Sequence, residues 1–524
     1  METNDFSLKM RLSEFKNDIF ISRKYWILYL VLISAIFFSL MGLDNYAHPK
    51  MEILVFVLMS IFGILFISFY QRHSDEEGFY KTAFIILLIF GIVFSCLTPI
   101  FCTHDEVEHF VRAEMTSNGV IFPEYNETAY VTINNVTYIG QYFTIQSTFD
   151  LAQKGNDYDY VYMDMVNSSI FNTNADTQPI NTTPVPIFHA FAQNPFFGYI
   201  APAIGIFIAK LLDLNAIWLL WLGRIFNSFV YSALVAYAIK KTPILKMPLF
   251  VVACIPAALS QAASISIDPL INGLGILSIA YFLVLYKSPK MSLDYRHIIK
   301  FSVIVLILGC CKVTYFSFIF LILFIPVENF KERKYYYLGF LSIIIILVIM
   351  LLWSKFYIDP GMRHSARALY YSENNHDQIR YMLSHKKDTI IELLHVFSYL
   401  EHDLKFQSYF DTNFTSLYLL FIGGVFLLYP EEKIKLKTKF GALLVFLMLY
   451  VGTYFLFMVT WNHVGELVPT GVQTRYFFPA FGLLPIALGF NHIKNDSSQI
   501  DMYVLMLTIV FIVSRILTIV TMVY

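Results

Sequence analysis

The sequence predicts an all-α polytopic membrane protein, and three observations carry that prediction. The 524 residues are 57% hydrophobic and only 14% charged, whereas soluble domains run at about 25% charged. Apolar runs near the roughly 20 residues that cross a bilayer recur from Tyr25 to the carboxyl terminus, about thirteen in all. Lysines and arginines gather in alternate connecting segments, the asymmetry that orients membrane helices. With a net charge of −1, no global field draws the chain to nucleic acid, so any charge effect is local. The five cysteines, Cys96, Cys102, Cys254, Cys310 and Cys311, lie in or beside apolar runs without the paired spacings of zinc or redox sites. An abundance of Ile, Phe, Tyr, Asn and Lys suits an AT-rich bacterial genome, and in that setting the Asn-x-Ser/Thr triplets carry no message.

Residues 1–81 read as a cytoplasmic leader and an extra N-terminal transmembrane hairpin. The leader holds Lys9, Arg11, Lys16, Arg23 and Lys24, which place the amino terminus in the cytoplasm. The run Tyr25 to Leu43 is too long for a signal h-region and lacks a small-residue cleavage site, so it is retained as a helix. Residues 82–524 form the main membrane domain. Its first crossing delivers Phe101 to the far side of the membrane, and the loop 101–194 has only Arg112 and Lys154 as basic residues, in keeping with an extracytoplasmic position. Within it "YVTINNVTYIG" alternates like a strand pair, and "TTPVPIFHAFAQNP" is a proline-containing exit. Segment 195–212 lies along the surface or re-enters, because a full crossing would leave Lys240, Lys241 and Lys246 outside. Both flanks of the run Ile298 to Val327 are basic, "RHIIK" and "KERK", so two short crossings with a turn near Lys312 fit better than one long crossing. Each would be only about 21 Å of helix, a length that suits a broken pair lining a protein cavity. Residues 358–413 form a second extracytoplasmic loop. Its Arg363, Arg367, Arg380, Lys386, Lys387 and Lys405 run against the charge rule, which weakens for long loops. The last crossings leave the segment Trp461 to Thr474 and the carboxyl terminus outside.

An ionisable group inside a membrane helix costs about 2.5–3.5 kcal/mol on insertion scales, so each one is a site hypothesis. The threading puts Arg224, Asp268, Lys312 and Arg475 on the face where "FCTHDEVEHFVRAEMTSNG" (101–119) emerges. The competing explanation is that these charges are interfacial or simply pair with one another. Arg515 fits no such cluster. Read as a helix, the motif places Asp105, His109 and Arg112 at i, i+4 and i+7, on one stripe. Thr103 and Glu106 also fit a capping box, in which Glu106 does no chemistry, and Asp105 fits a favourable charge on the helix dipole. "HDEVEH" departs from the HExxH zinc motif. Glu106–His109 and Glu392–His395 are two Glu-x-x-His units, without the further glutamates of a di-iron bundle. A divalent metal ion held by Asp105 or Glu106 with His109 stays open, as an aid rather than the sole catalyst.

In chain order, "HDEVEHFVRAEMTSNG", "GRIFNS", "PAALSQAASISIDPLINGLG", "CKVTYF" and "VQTRYFFPAFGLLPIAL" resemble the motifs of a bacterial membrane-protein family labelled domain of unknown function 2142, over about residues 82–524. That family in turn resembles the GT-C superfamily of integral-membrane glycosyltransferases, which use polyprenyl-phosphate sugars and carry an acidic motif on the first large external loop. The resemblance implies a GT-C-like bundle of about 13 transmembrane helices, with surface-lying helices and a small strand pair in a large first extracytoplasmic loop. It implies Asp105 as general base on the acceptor hydroxyl, with Glu106 orienting it or holding a metal. Arg475, Gln473, Lys312 and Arg224 would bind the lipid phosphate, and His109 and Arg112 would line the substrate site. Many GT-C enzymes have a second functional acid, a part for which Asp268 is the candidate.

The chemistry suits these residue types: a positioned base contributes roughly 10²–10⁴-fold, cations offset charge on the departing phosphate, and arginine matches phosphate by its fork of donors. Direct attack implies inversion at the anomeric carbon. The implied partners are a polyprenyl-phosphate-linked sugar donor, a cell-surface polysaccharide or teichoic-type acceptor and the lipid bilayer. A donor-synthesising glycosyltransferase and a flippase would work beside it in the bacterial plasma membrane. Two rival readings are a transporter or flippase for a lipid-linked sugar and a non-catalytic scaffold of polysaccharide assembly. The sequence has no internal repeat and its charges lie toward one face, whereas transporters favour repeats and midplane charges.

Overall fold

The computed structural model describes residues 13–41, 49–73, 78–123, 126–133, 136–145, 151–153, 156–160, 173–187, 191–362, 375–404, 414–428, 433–490 and 497–524. The leader residues Lys9 and Arg11 and the loop residues Arg363, Arg367 and Lys405 lie outside these. Among the described residues, eight helices are long and apolar enough to cross a membrane: Arg23–Met41, Pro49–Arg72, Phe79–Leu97, Ile217–Lys241, Asp268–Lys287, Arg333–Met362, Leu436–Thr460 and Gln499–Val523. That is fewer than the expected thirteen or so, because the other apolar runs are short or broken. The run near Pro248 breaks between Lys246–Ala253 and Pro256–Ala262, where a proline denies the preceding residue a helical backbone. The run after Tyr476 is cut into Phe478–Phe481 and Leu484–Leu488, each with a proline in its first turn.

Side-chain contacts give the directions of the helices. Arg224 reaches the carbonyls of Ser95 and Thr98 at 3.1 and 2.7 Å, and the Lys240 ammonium stands 4.9 Å over the Tyr80 ring. Phe79–Leu97 and Ile217–Lys241 are therefore antiparallel, with Leu97 at one end of the bundle and Lys240 at the other. Tyr524 donates to the Leu97 carbonyl at 3.2 Å, so the last helix finishes at the Leu97 end. At the opposite end, residues 291–293 bond to the backbone of residues 328 and 329, Lys331 bonds back to Leu293, and Lys290 and Lys435 both pair with Glu328. Asp268–Lys287 and Gln499–Val523 are the most enclosed spanning helices, while Arg333–Met362 lies outermost. Its Ile344, Val348 and Leu351 are exposed, as residues facing lipid are.

The run expected to turn near Lys312 does so. Helix Tyr295–Cys311 ends at Lys312, whose backbone is extended, and a twelve-residue 3-10 run, Val313–Phe324, returns the chain. At about 2.0 Å per residue a 3-10 run covers about 24 Å, more than an α-helix of equal length. Segment 195–212 forms a 3-10 turn, Phe196–Tyr199, and a helix, Ile200–Leu211. That helix packs on Glu106–Ser117 and on the first two turns of Ile217–Lys241, where Gly205 lets the backbones meet at Leu222. Lys210 ties it to Glu114 at 3.0 Å, so it stays at the Leu97 end. "YVTINNVTYIG" forms an antiparallel pair, Asn126–Ile133 with Val136–Ile145, in a register that sets Tyr130 opposite Ile139. A third strand, Val185–Ile187, joins it, and a second hairpin pairs Leu151–Gln153 with Asn156–Tyr160.

Candidate functional site

Beyond Leu97 the chain turns sharply, and both Phe101 and Asp105 take left-handed backbone angles, φ 54° and 58°. Away from glycine that conformation costs about 1–2 kcal/mol, least for Asp and Asn, and persists where surrounding structure enforces it. Asp105 stands at the N-cap of helix Glu106–Ser117 yet makes no side-chain cap bond. Its carboxylate is turned instead onto Arg475, whose Nη2 donates to Asp105 Oδ2. Arg475 Nη1 donates to the His104 carbonyl at 2.9 Å and lies 3.3 Å from Asp268 Oδ2. Gln261 Nε2 donates to that same Asp268 oxygen at 3.0 Å. Asp105 keeps 38% of its side chain exposed while Arg475 keeps 6%, so the carboxylate is the open member of the pair. Burial pushes the Asp105 carboxyl up, but Arg475, aided by His109 and His104, holds it below its ordinary value. Burial, then Arg475, lowers His104, which favours its neutral form.

Lys312 completes the group. Its ammonium sits 3.0 Å from the centre of the Tyr476 ring and 5.6 Å from that of Phe457, and among the described residues it has no carboxylate partner. Tyr315 donates to the Tyr476 carbonyl at 2.8 Å, which pins the segment carrying Arg475 to the 3-10 run after Lys312. Among the described residues, Gln473 Oε1 and Arg475 Nε are buried without a hydrogen-bond partner.

Several expected site residues are engaged elsewhere. Glu106 is fully buried in a two-pronged pair with Arg224, Nε to Oε1 at 2.8 Å and Nη2 to Oε2 at 2.6 Å. The Ile265 amide also donates to Oε1 at 2.9 Å. The expected capping box is therefore replaced by a clamp joining three segments. Arg224 spends its remaining donors on the carbonyls of Ser95, Thr98 and Pro99, which leaves none for a phosphate. Arg112, likewise fully buried, donates to Thr116 and to the carbonyls of Asn194, Val120 and Ile121, so it fastens the loop instead of facing a ligand. His109 is buried with Nδ1 2.5 Å from the Tyr199 hydroxyl. With Glu106 held by Arg224, the side chains of Asp105, Glu106 and His109 do not gather around one point. Among the described residues no group of three or more His, Cys, Asp or Glu side chains is placed to hold a metal ion.

Two further carboxylates lie nearby, Glu108 within the motif at 101–119 and Asp403 on a separate helix. Glu108 is half-buried, and burial followed by the Asp105 charge raises its carboxyl. Asp403, buried, lies 2.9 Å from the Tyr450 hydroxyl and accepts from Tyr454 at 2.6 Å. Both rings pack on Phe477, two residues past Arg475. A polar residue at the end of a long loop gives no sequence signal of such a partner.

A family model described as "Predicted membrane protein (DUF2142)" matches residues 88–484, three quarters of the chain. The matched region includes Asp105, Asp268, Lys312 and Arg475. No match is found among curated proteins or among solved structures.

Proposed function

We propose that this chain, which belongs to the DUF2142 family of predicted membrane proteins, is an integral-membrane glycosyltransferase of GT-C type. It moves a sugar from a polyprenyl-phosphate donor to a hydroxyl of a cell-surface polysaccharide or teichoic-type acceptor on the extracytoplasmic face of the bacterial plasma membrane. The observation that carries the reading is the pairing of a half-exposed carboxylate, Asp105, with Arg475, beside an ammonium, Lys312, that has no carboxylate of its own among the described residues. A base and two cations at one end of a membrane bundle are what this transfer requires. Asp105 takes the proton from the acceptor hydroxyl as its oxygen bonds to the anomeric carbon. The bond from that carbon to the phosphate oxygen breaks, and Arg475 and Lys312 offset the charge left on the lipid phosphate. Attack opposite the leaving group inverts the anomeric centre. Asp268 and the His104 carbonyl orient Arg475, and the Glu106–Arg224 clamp fixes the turn that presents Asp105.

The charged layer lies at the Leu97 end of the bundle, which favours this reading over a transporter with a midplane site. Comparison of a deletion strain with its parent tests it. The deletion strain is expected to lose one sugar from a surface glycan and to accumulate the lipid-linked donor. Unchanged glycans would overturn the reading.

A further inference from the structure

Helices Asn375–Ser384 and Lys386–His395 carry the same three-sided pattern. Their inner faces hold Gln378 and Met382 in one and Thr389 in the other, all buried. Their outward stripes, spaced i, i+4 and i, i+1, i+4, are aliphatic: Ile379 and Leu383, then Ile390, Ile391 and Leu394, each between 38% and 64% exposed. Asp388 and Glu392 fall on the remaining side, by helical spacing. Such a pair is inside out for water, because a polar glutamine is enclosed while five large aliphatics face outward.

The inner face is firmly seated. Gln378 Nε2 donates to the carbonyls of Met458 and Glu466 at 3.0 and 2.7 Å, and the Gly465 amide donates to Gln378 Oε1 at 2.9 Å. The pair therefore rides on the end of the spanning helix Leu436–Thr460 at the Asp105 end of the bundle. There that helix shows an exposed Phe455, and the exposed Trp461 follows it, an amphipathic ring of the kind that marks headgroup level. The helix pair is thus bonded to residues on either side of Trp461, at the end of a spanning helix. Exposed Arg380 and Lys387 flank the aliphatic stripe, placed to extend toward lipid phosphates as their stems cover apolar surface.

We infer that residues 375–395 form an interfacial strap, lying in the plane of the bilayer with Ile379, Leu383, Ile390, Ile391 and Leu394 inserted among the lipids at the Asp105 end. The partner is the phospholipid surface itself. Because Gln378 holds Gly465 and Glu466, the strap also anchors the loop that leads to Gln473 and Arg475.

The test needs no substrate, so its outcome is separate from that of the glycosyltransferase reading. In a background with the native cysteines replaced, single cysteines at Ile391, Leu394, Asp388 and Glu392 are spin-labelled. The full-length chain is then placed in nanodiscs of phosphatidylethanolamine and phosphatidylglycerol, with monodisperse elution as the check on folding. Collision with oxygen and with a water-soluble nickel chelate is measured by electron paramagnetic resonance. Labels at 391 and 394 are expected to favour oxygen severalfold over labels at 388 and 392. Labels at 391 and 394 that favour nickel would place the strap in water, and labels shielded from both probes would place it against another protein. Either result overturns the inference.

Discussion

At the scale of single residues, Asp105 and Lys312 have opposite problems. Asp105 is ionised against Arg475, which holds its carboxyl below the ordinary value. The stability this pairing adds is complete above the unfolded-state value and is lost as pH falls through the folded one. Transfer should accordingly show no acid limb from Asp105 above about pH 5, and a pH profile of transfer into membranes checks this. Among the described residues, the Lys312 ammonium is offset only by ring faces and by more distant carboxylates, Asp268 and Asp105. Replacing such a group by an apolar one of similar length often stabilises. Lys312→Met is expected to hold or raise the thermal unfolding temperature in detergent while reducing surface transfer at least about tenfold, as loss of a charge-stabilising donor does. A lowered unfolding temperature with transfer intact would make Lys312 structural. Spacing alone placed Asp105, His109 and Arg112 on one stripe, yet only Asp105 opens outward, because which neighbours a stripe meets is decided by other helices.

Among the elements, the turn after Phe79–Leu97 owes its shape to the Glu106–Arg224 clamp. Glu106→Gln removes the negative charge and leaves Arg224 buried without its ionic partner, a change that typically costs about 3–5 kcal/mol. The variant is expected to unfold at a clearly lower temperature in a detergent melt, whereas a melt matching the parent would show the clamp to be incidental. Basic flanks revealed the break at Lys312, and alternation revealed the strand pair around residues 130–140, because both are local patterns. The pairing of Glu106 with Arg224, 118 residues apart, has no local trace. A capping box was the nearest pattern in sequence, and the tertiary partner prevailed over it.

For the whole molecule, lysine and arginine placement along the chain groups Arg224, Asp268, Lys312 and Arg475 on the face of Asp105, and all lie at the Leu97 end of the bundle. Among the described residues eight helices have the length of a full span, and the remaining crossings expected from sequence fall on proline-broken or short apolar runs, which have the composition of a crossing without its length. Cytoplasmic reporter signals are expected from fusions at Lys240 and Arg333, and an extracytoplasmic signal at Lys240 would reverse the orientation. The most direct test of the central claim is Asp105→Asn expressed in the deletion strain, with surface glycan composition and lipid-linked sugar measured together. Asn tolerates the left-handed backbone and keeps an oxygen for Arg475, so the protein should accumulate normally and still bind the lipid-linked sugar. Transfer is expected to be lost and the lipid-linked donor to build up. Surface glycosylation equal to the parent, from normally expressed Asp105→Asn protein, would contradict the central claim.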